Sequence, residues 1–135
     1  MAREDPRVHL TRQWLNKAIR DLQAAQLAAA LTDIAMFHCQ QAMEKALKGY
    51  LTWKDEPFRR THLLSELLLQ CQAFDSGFQL LQTSAKLLTP YATEFRYPGV
   101  DAEPTITEAE HAHHLAQEAF DFVLARLPAD VTAQM

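Results

Sequence analysis

The sequence predicts an all-α fold, an antiparallel up-and-down bundle of four to five helices. Only three of the 135 residues are glycine, too few for the many tight turns of a small barrel or sandwich. Ala, Leu, Gln and Glu are abundant, and all are helix formers. Apolar residues recur at 3.6-residue spacing in successive stretches separated by short breakers. The length suits one domain, expected over residues 7–128 with flexible termini at 1–6 and 129–135. With 48% hydrophobic and 22% charged residues, the chain is not of the disordered class.

The first helix is expected from Arg7 to Leu31, with Leu15, Ala18, Ile19, Leu22, Ala25 and Ala29 on one buried stripe and Pro6 in its first turn. Thr32-Asp33 breaks the pattern, and Asp33 can cap the next helix. That second helix runs from Ile34 to Trp53. Its apolar arc holds Ala35, Cys39, Ala42, Met43, Ala46, Gly49 and Tyr50, and its opposite arc Gln40, Gln41, Glu44, Lys45 and Lys48. Ile34 and Phe37 project toward the polar side, as residues that meet a second subunit or a partner would.

A polar linker with Pro57 follows. Thr61 is the expected cap of a third helix, His62 to Cys71, and Asp75-Ser76-Gly77 the next turn. The fourth helix is placed at Phe78 to Tyr91, with Leu80, Leu81, Ser84, Leu87, Leu88 and Tyr91 inward and Pro90 kinking or ending it. Pro98, Gly99 and Pro104 mark a loop. Thr107 and Glu110 have capping-box spacing for a fifth helix, which buries Ala112, Leu115, Ala116, Ala119, Val123 and Leu127 and ends at Pro128. The last residues are expected to fray.

Thirteen Lys and Arg against 17 Asp and Glu give a formal charge of −4. That disfavours a general nucleic-acid binder, whose affinity comes mainly from phosphate neutralisation. Two local basic clusters remain: Arg3, Arg7, Arg12, Lys17 and Arg20, and Lys45, Lys48, Lys54, Arg59 and Arg60. Cys39 and Cys71 lie in apolar stretches and read as small buried thiols. No apolar run of membrane-spanning length occurs, and the charged start lacks a signal core, so a cytoplasmic location is expected and no membrane contact.

Three constellations carry chemistry. The polar arc of the second helix mixes amides, a carboxylate and ammonium groups, which suits a phosphate or nucleobase. Tyr91-x-x-Glu94-x-Arg96-Tyr97-Pro98-Gly99 couples a cation and two phenols to a rigid turn; Arg grips phosphate with two prongs and Tyr stacks on bases. His111, His113 and His114 cluster on the fifth helix. A di-metal bundle site needs Glu-x-x-His on two helices, and only this helix has it, so no metal is expected. No catalytic triad stands out.

The stretches Trp14-Leu15-x-x-Ala18-x-x-Asp21-Leu22, Phe37-His38-Cys39-Gln40-Gln41-Ala42-x-Glu44-Lys45-Ala46-Leu47-Lys48, Thr61-His62-x-Leu64 and Tyr91-x-x-x-x-Arg96-Tyr97-Pro98-Gly99 occur in this order. Together they resemble the HEPN domain over about Leu10 to Leu127. The resemblance implies the same helical bundle, a homodimer, and a partner that is a separate minimal nucleotidyltransferase. It also implies nucleotide or substrate binding, with Gln41, Glu44, Lys45, Lys48, His62, Tyr91, Arg96 and Tyr97 as candidate ligand-binding residues. No cofactor is implied. Family RNases carry an Arg-x(4–6)-His motif that acts on RNA. Here the positions after Arg96 where that His would stand are Asp101, Ala102 and Glu103. The chain therefore reads as non-catalytic alone. The alternatives are an RNase toxin of a toxin-antitoxin pair with a degenerate Arg/His centre, or a purely structural dimerisation module.

Overall fold

The computed structural model describes residues 5–92, 98–99 and 103–133. Those residues form helices joined by short connections, with no strand among them. α1 spans Pro6–Leu27 and α2 Thr32–Trp53. They form the main hairpin. Asp5 caps α1, its carboxylate accepting the Arg7 backbone N–H at 2.9 Å, while Pro6 occupies the first turn, where no N–H is required. α1 stops at Leu27, four residues before the expected end, because residues 28–30 make the turn into α2. Asp33 is not the cap of α2. The helix begins one residue earlier, and Asp33 sits inside the first turn, where a carboxylate still favours the exposed N–H groups.

Gly49 lies where α2 approaches α1 closely. A Cβ there would come within 3.2 Å of Leu15 Cδ2 and 3.3 Å of Trp14 Cβ. The buried residues follow the predicted stripes closely on both helices: Leu15, Ala18, Leu22 and Ala25 on α1, Cys39, Ala42, Met43, Ala46 and Tyr50 on α2.

α3 spans Leu64–Gln72 and begins two residues later than expected. Thr61 does not cap it; its hydroxyl accepts the Leu63 N–H at 3.0 Å in a local turn, which leaves His62 outside the helix. The segment expected as one fourth helix is three pieces: a 3₁₀ helix Ser76–Leu81, α4 at Gln82–Leu88, and a 3₁₀ helix Thr89–Ala92. The Asp75 carboxylate accepts the Gly77 N–H at 2.8 Å and starts the tight turn. Three residues per turn instead of 3.6 shifts the phase of the stripe. Leu81, Ser84, Leu88 and Tyr91 are buried as expected, but Leu80 is 80% exposed and Leu87 40%.

Pro98 and Gly99 form a turn in which Gly99 has φ 107°, left-handed space open to glycine. α5 spans Ile106–Leu124. Its capping box is Thr105 with Glu108, two residues before the expected Thr107 pair: the Thr105 hydroxyl accepts the Glu108 N–H at 3.1 Å and meets Glu108 Oε1 at 3.2 Å. Leu115, expected inward, is only half-buried. α5 ends at Leu124, and Pro128 begins a further short helix, α6 at Ala129–Thr132, where a frayed end was expected. Val131 on α6 is fully buried. α6 lies beside the start of α1, where the Arg12 guanidinium donates to the carbonyls of Val131, at 2.9 Å, and Asp130.

Candidate functional site

The polar face of α2 is a seam. Positions 38, 41, 45 and 48 fall within about 80° of one another on an ideal helix and run about 15 Å along its axis. On the α1 side of this seam stands Asp21, only 7% exposed. Its Oδ1 accepts from His38 Nδ1 at 2.9 Å and its Oδ2 from Lys45 Nζ at 2.5 Å. A carboxylate only accepts, so the His38 proton sits on Nδ1 and Nε2 is left for other partners.

The opposite flank repeats the theme. Glu44, 4% exposed, accepts from His62 Nδ1 at 3.1 Å and from Gln40 Nε2 at 3.3 Å through Oε1, and from Lys48 Nζ at 3.1 Å through Oε2. Gln40 also donates to the His62 carbonyl at 3.3 Å and accepts from Gln41 at 2.8 Å. Gln40 and Glu44, placed by the sequence on the polar arc of the second helix, are therefore closed to solvent. They are a buried network that anchors the linker before α3 to α2. Lys48 completes it, 5.6 Å from the Trp14 ring and 5.4 Å from Phe58, two rings that meet edge to face at 5.5 Å.

Trp14 links this network to the outer face of α1. An open groove of about 570 Å³ passes Leu10, Gln13, Trp14, Asn16, Lys17 and Arg20. Trp14, Lys17 and Arg20 are spaced three apart, so they climb one side of the helix over about 9 Å. Among the described residues neither Lys17 nor Arg20 has a carboxylate partner, in contrast to Lys45 and Lys48.

The order of these elements and the seam residues fit one known family. The HEPN domain profile matches residues 11–127, nearly the whole chain. The chain is a HEPN domain protein. Two solved structures are similar to it. TT1696 from Thermus thermophilus is 33% identical, with a TM-score of 0.78, over 87% of this chain and 98% of that one. ST0689, an archaeal HEPN homologue, is 28% identical, with a TM-score of 0.68, over 86% and 96%. A search of curated proteins returned no match.

In this HEPN chain the candidate residues Gln41, Glu44, Lys45, Lys48 and His62 come together along the seam. Tyr91 is buried elsewhere, in the 3₁₀ turn after α4, with its phenol pushed up by burial and secondarily by Glu108. Arg96 and Tyr97 lie outside the described residues. The α5 histidines separate: His113 Nε2 donates to the Leu22 carbonyl at 3.3 Å, His114 pairs with Glu118 at 2.8 Å, and His111 is exposed. No metal-holding group of His, Cys, Asp and Glu occurs among the described residues, and no helix there is long and apolar enough to cross a membrane. Burial pushes both thiols up to about 12, with the Asp21 charge adding at Cys39.

Sequence reasoning missed Asp21, His38 and the Trp14-Lys17-Arg20 ridge as parts of this region. A signal for the first existed: Asp21 sits between Ala18, Leu22 and Ala25 on a buried stripe, where a carboxylate needs a cation.

Proposed function

We propose that this HEPN chain is a binding subunit for a phosphate-bearing ligand of the nucleotide class, acting with a separate minimal nucleotidyltransferase and as a homodimer. The observation that carries the reading is the groove along α1. It offers one partly exposed indole and two cations without carboxylate partners among the described residues, at a spacing that suits a base and its phosphates. Stacking of a base on an aromatic ring contributes about 1–3 kcal/mol. The Arg20 guanidinium can hold two phosphate oxygens at once. Lys45 and Lys48 contribute differently: each is tied to a buried carboxylate, so they support the seam from which His38 Nε2, Gln41 and His62 present hydrogen-bonding atoms.

Calorimetric titration with ATP, GTP and a short single-stranded RNA, on the chain alone and mixed with the nucleotidyltransferase, tests this reading. The Lys17→Glu/Arg20→Glu double variant is expected to lose at least tenfold in affinity, with an unchanged melting temperature. Absence of binding heat for all three ligands in both settings refutes the nucleotide reading.

A further inference from the structure

The charges of this chain are segregated along it. No Lys or Arg occurs between Arg20 and Lys45, and none between Arg96 and Arg126. These stretches include the C-terminal end of α1, the first half of α2 and all of α5. α5 alone carries Glu108, Glu110, Glu118 and Asp121 with no cation.

The three elements meet at one end of the bundle around a half-open cavity of about 270 Å³. Ala25 of α1, Ala29 of the turn after it, Ala35 of α2, and Ile106 and Ala109 of α5 wall it. Methyl groups at these positions leave room that larger side chains would fill. The polar groups lining the cavity are Gln26, Glu110 and His113. His113 donates through Nε2 to the Leu22 carbonyl, which leaves its Nδ1 for other partners. The Glu110 carboxylate only accepts. Apolar groups stand exposed at this end of the bundle: Ile106 is 58% exposed, Leu31, the residue just before α2, is 57% exposed, and Ile34, in the first turn of α2, is 42% exposed.

We propose that this end of the bundle is a docking surface for a basic amphipathic segment of a partner protein. One aliphatic side chain enters the alanine-walled cavity, its apolar neighbours cover Leu31, Ile34 and Ile106, and its Lys or Arg residues face Glu110 and Glu108. Charge complementarity selects this occupant. A second copy of the chain would bring acidic α5 against acidic α5 with no cation to relieve it. The same field repels nucleic acid. A small apolar molecule would fill the cavity yet leave Leu31 and Ile34 in water. The surface lies apart from the α1 groove, so either reading can fail without the other.

The probe is a synthetic helical peptide with leucines on one face and lysines on the other. Two controls replace its lysines by glutamate, or its leucines by serine. Binding is followed by backbone amide shifts of the full chain. The Leu/Lys peptide is expected to bind, with shifts at Ala25, Ala35 and Ala109, and both controls to bind at least tenfold more weakly. Ala109→Leu, which fills the cavity, and Glu110→Lys should each weaken it at least tenfold. Ile106→Asp supplies the same test at an exposed first-turn position, where an added carboxylate suits the helix, should Ala109→Leu fail to fold. No binding up to millimolar peptide, or binding indifferent to both Glu110→Lys and Ile106→Asp, overturns the proposal. So does a dimer in sedimentation that Ile106→Asp dissociates, since the occupant is then a second copy.

Discussion

Asp21 holds two partners, His38 and Lys45, from a position that is almost closed to water. Asp21→Ala removes two hydrogen bonds to a charged acceptor, each worth about 1.5–3 kcal/mol, and leaves Lys45 and His38 partly open to water, so a loss of about 3 kcal/mol is expected in urea unfolding. Lys45→Ala should cost roughly half as much, since Asp21 keeps the His38 bond. Equal, near-zero losses for both would mean that the seam adds nothing to folding. The two cysteines give a second test at this scale. Burial raises both thiols to about 12, so at pH 8 neither is a thiolate nor reachable. A disulfide reagent such as DTNB should leave the native chain unmodified and titrate two thiols once urea unfolds it. A thiol reacting promptly in the native state would contradict the packing around it. Sequence reading found Lys45, Lys48 and Glu44 by residue type, and Glu44 and Lys48 have the i,i+4 spacing of the ion pair they form, but it did not find that Lys45 is matched by Asp21. That depends on which turn of α1 faces which turn of α2, a register set by the close approach at Gly49.

The long helices were legible because each shows its stripe over several turns. α1, α2 and α5 bury most of the residues that a 3.6-residue period selects, the exceptions including Leu115, half-buried, and Gln40 and Glu44, buried on the polar arc. The stretch from Ser76 to Ala92 was not legible in detail. Two 3₁₀ turns around a seven-residue helix break the period before it can declare itself, which is why Leu80 and Leu87 were misplaced. The start of α5 shows how two capping patterns compete. Both Thr105-x-x-Glu108 and Thr107-x-x-Glu110 satisfy the spacing, and the chain uses the first, directly after Pro104. Replacing an N-cap Thr by Ala costs about 1 kcal/mol. Thr105→Ala should show that loss in thermal or urea unfolding, whereas Thr107→Ala, at an exposed helix position, should stay within about 0.5 kcal/mol of the parent. The reverse order would move the helix start by two residues.

At the scale of the molecule, composition foretold a small helical bundle but not how its two ends meet. The Arg7 guanidinium donates to the Trp53 carbonyl at 2.7 Å, tying the start of α1 to the end of α2. α6 then returns from the end of α5 to lie beside the first turns of α1, with Val131 buried and its carbonyl taken by Arg12. Four residues after a proline carry no readable period, so this closure had no sequence signal beyond one valine among polar neighbours. Its contribution follows from its contacts. Full burial of a Val side chain is worth about 1.5–3 kcal/mol, and the Arg12 bonds to backbone carbonyls add about 1 kcal/mol. Deleting residues 128–135 should therefore cost about 3 kcal/mol in urea unfolding while changing helical circular dichroism little, because α6 is only four residues long. Val131→Ala should reproduce part of the loss, about 1–2 kcal/mol, without shortening the chain. A truncated chain as stable as the full one would show that the bundle is already closed by the longer helices, and that α6 rests on α1 without holding it.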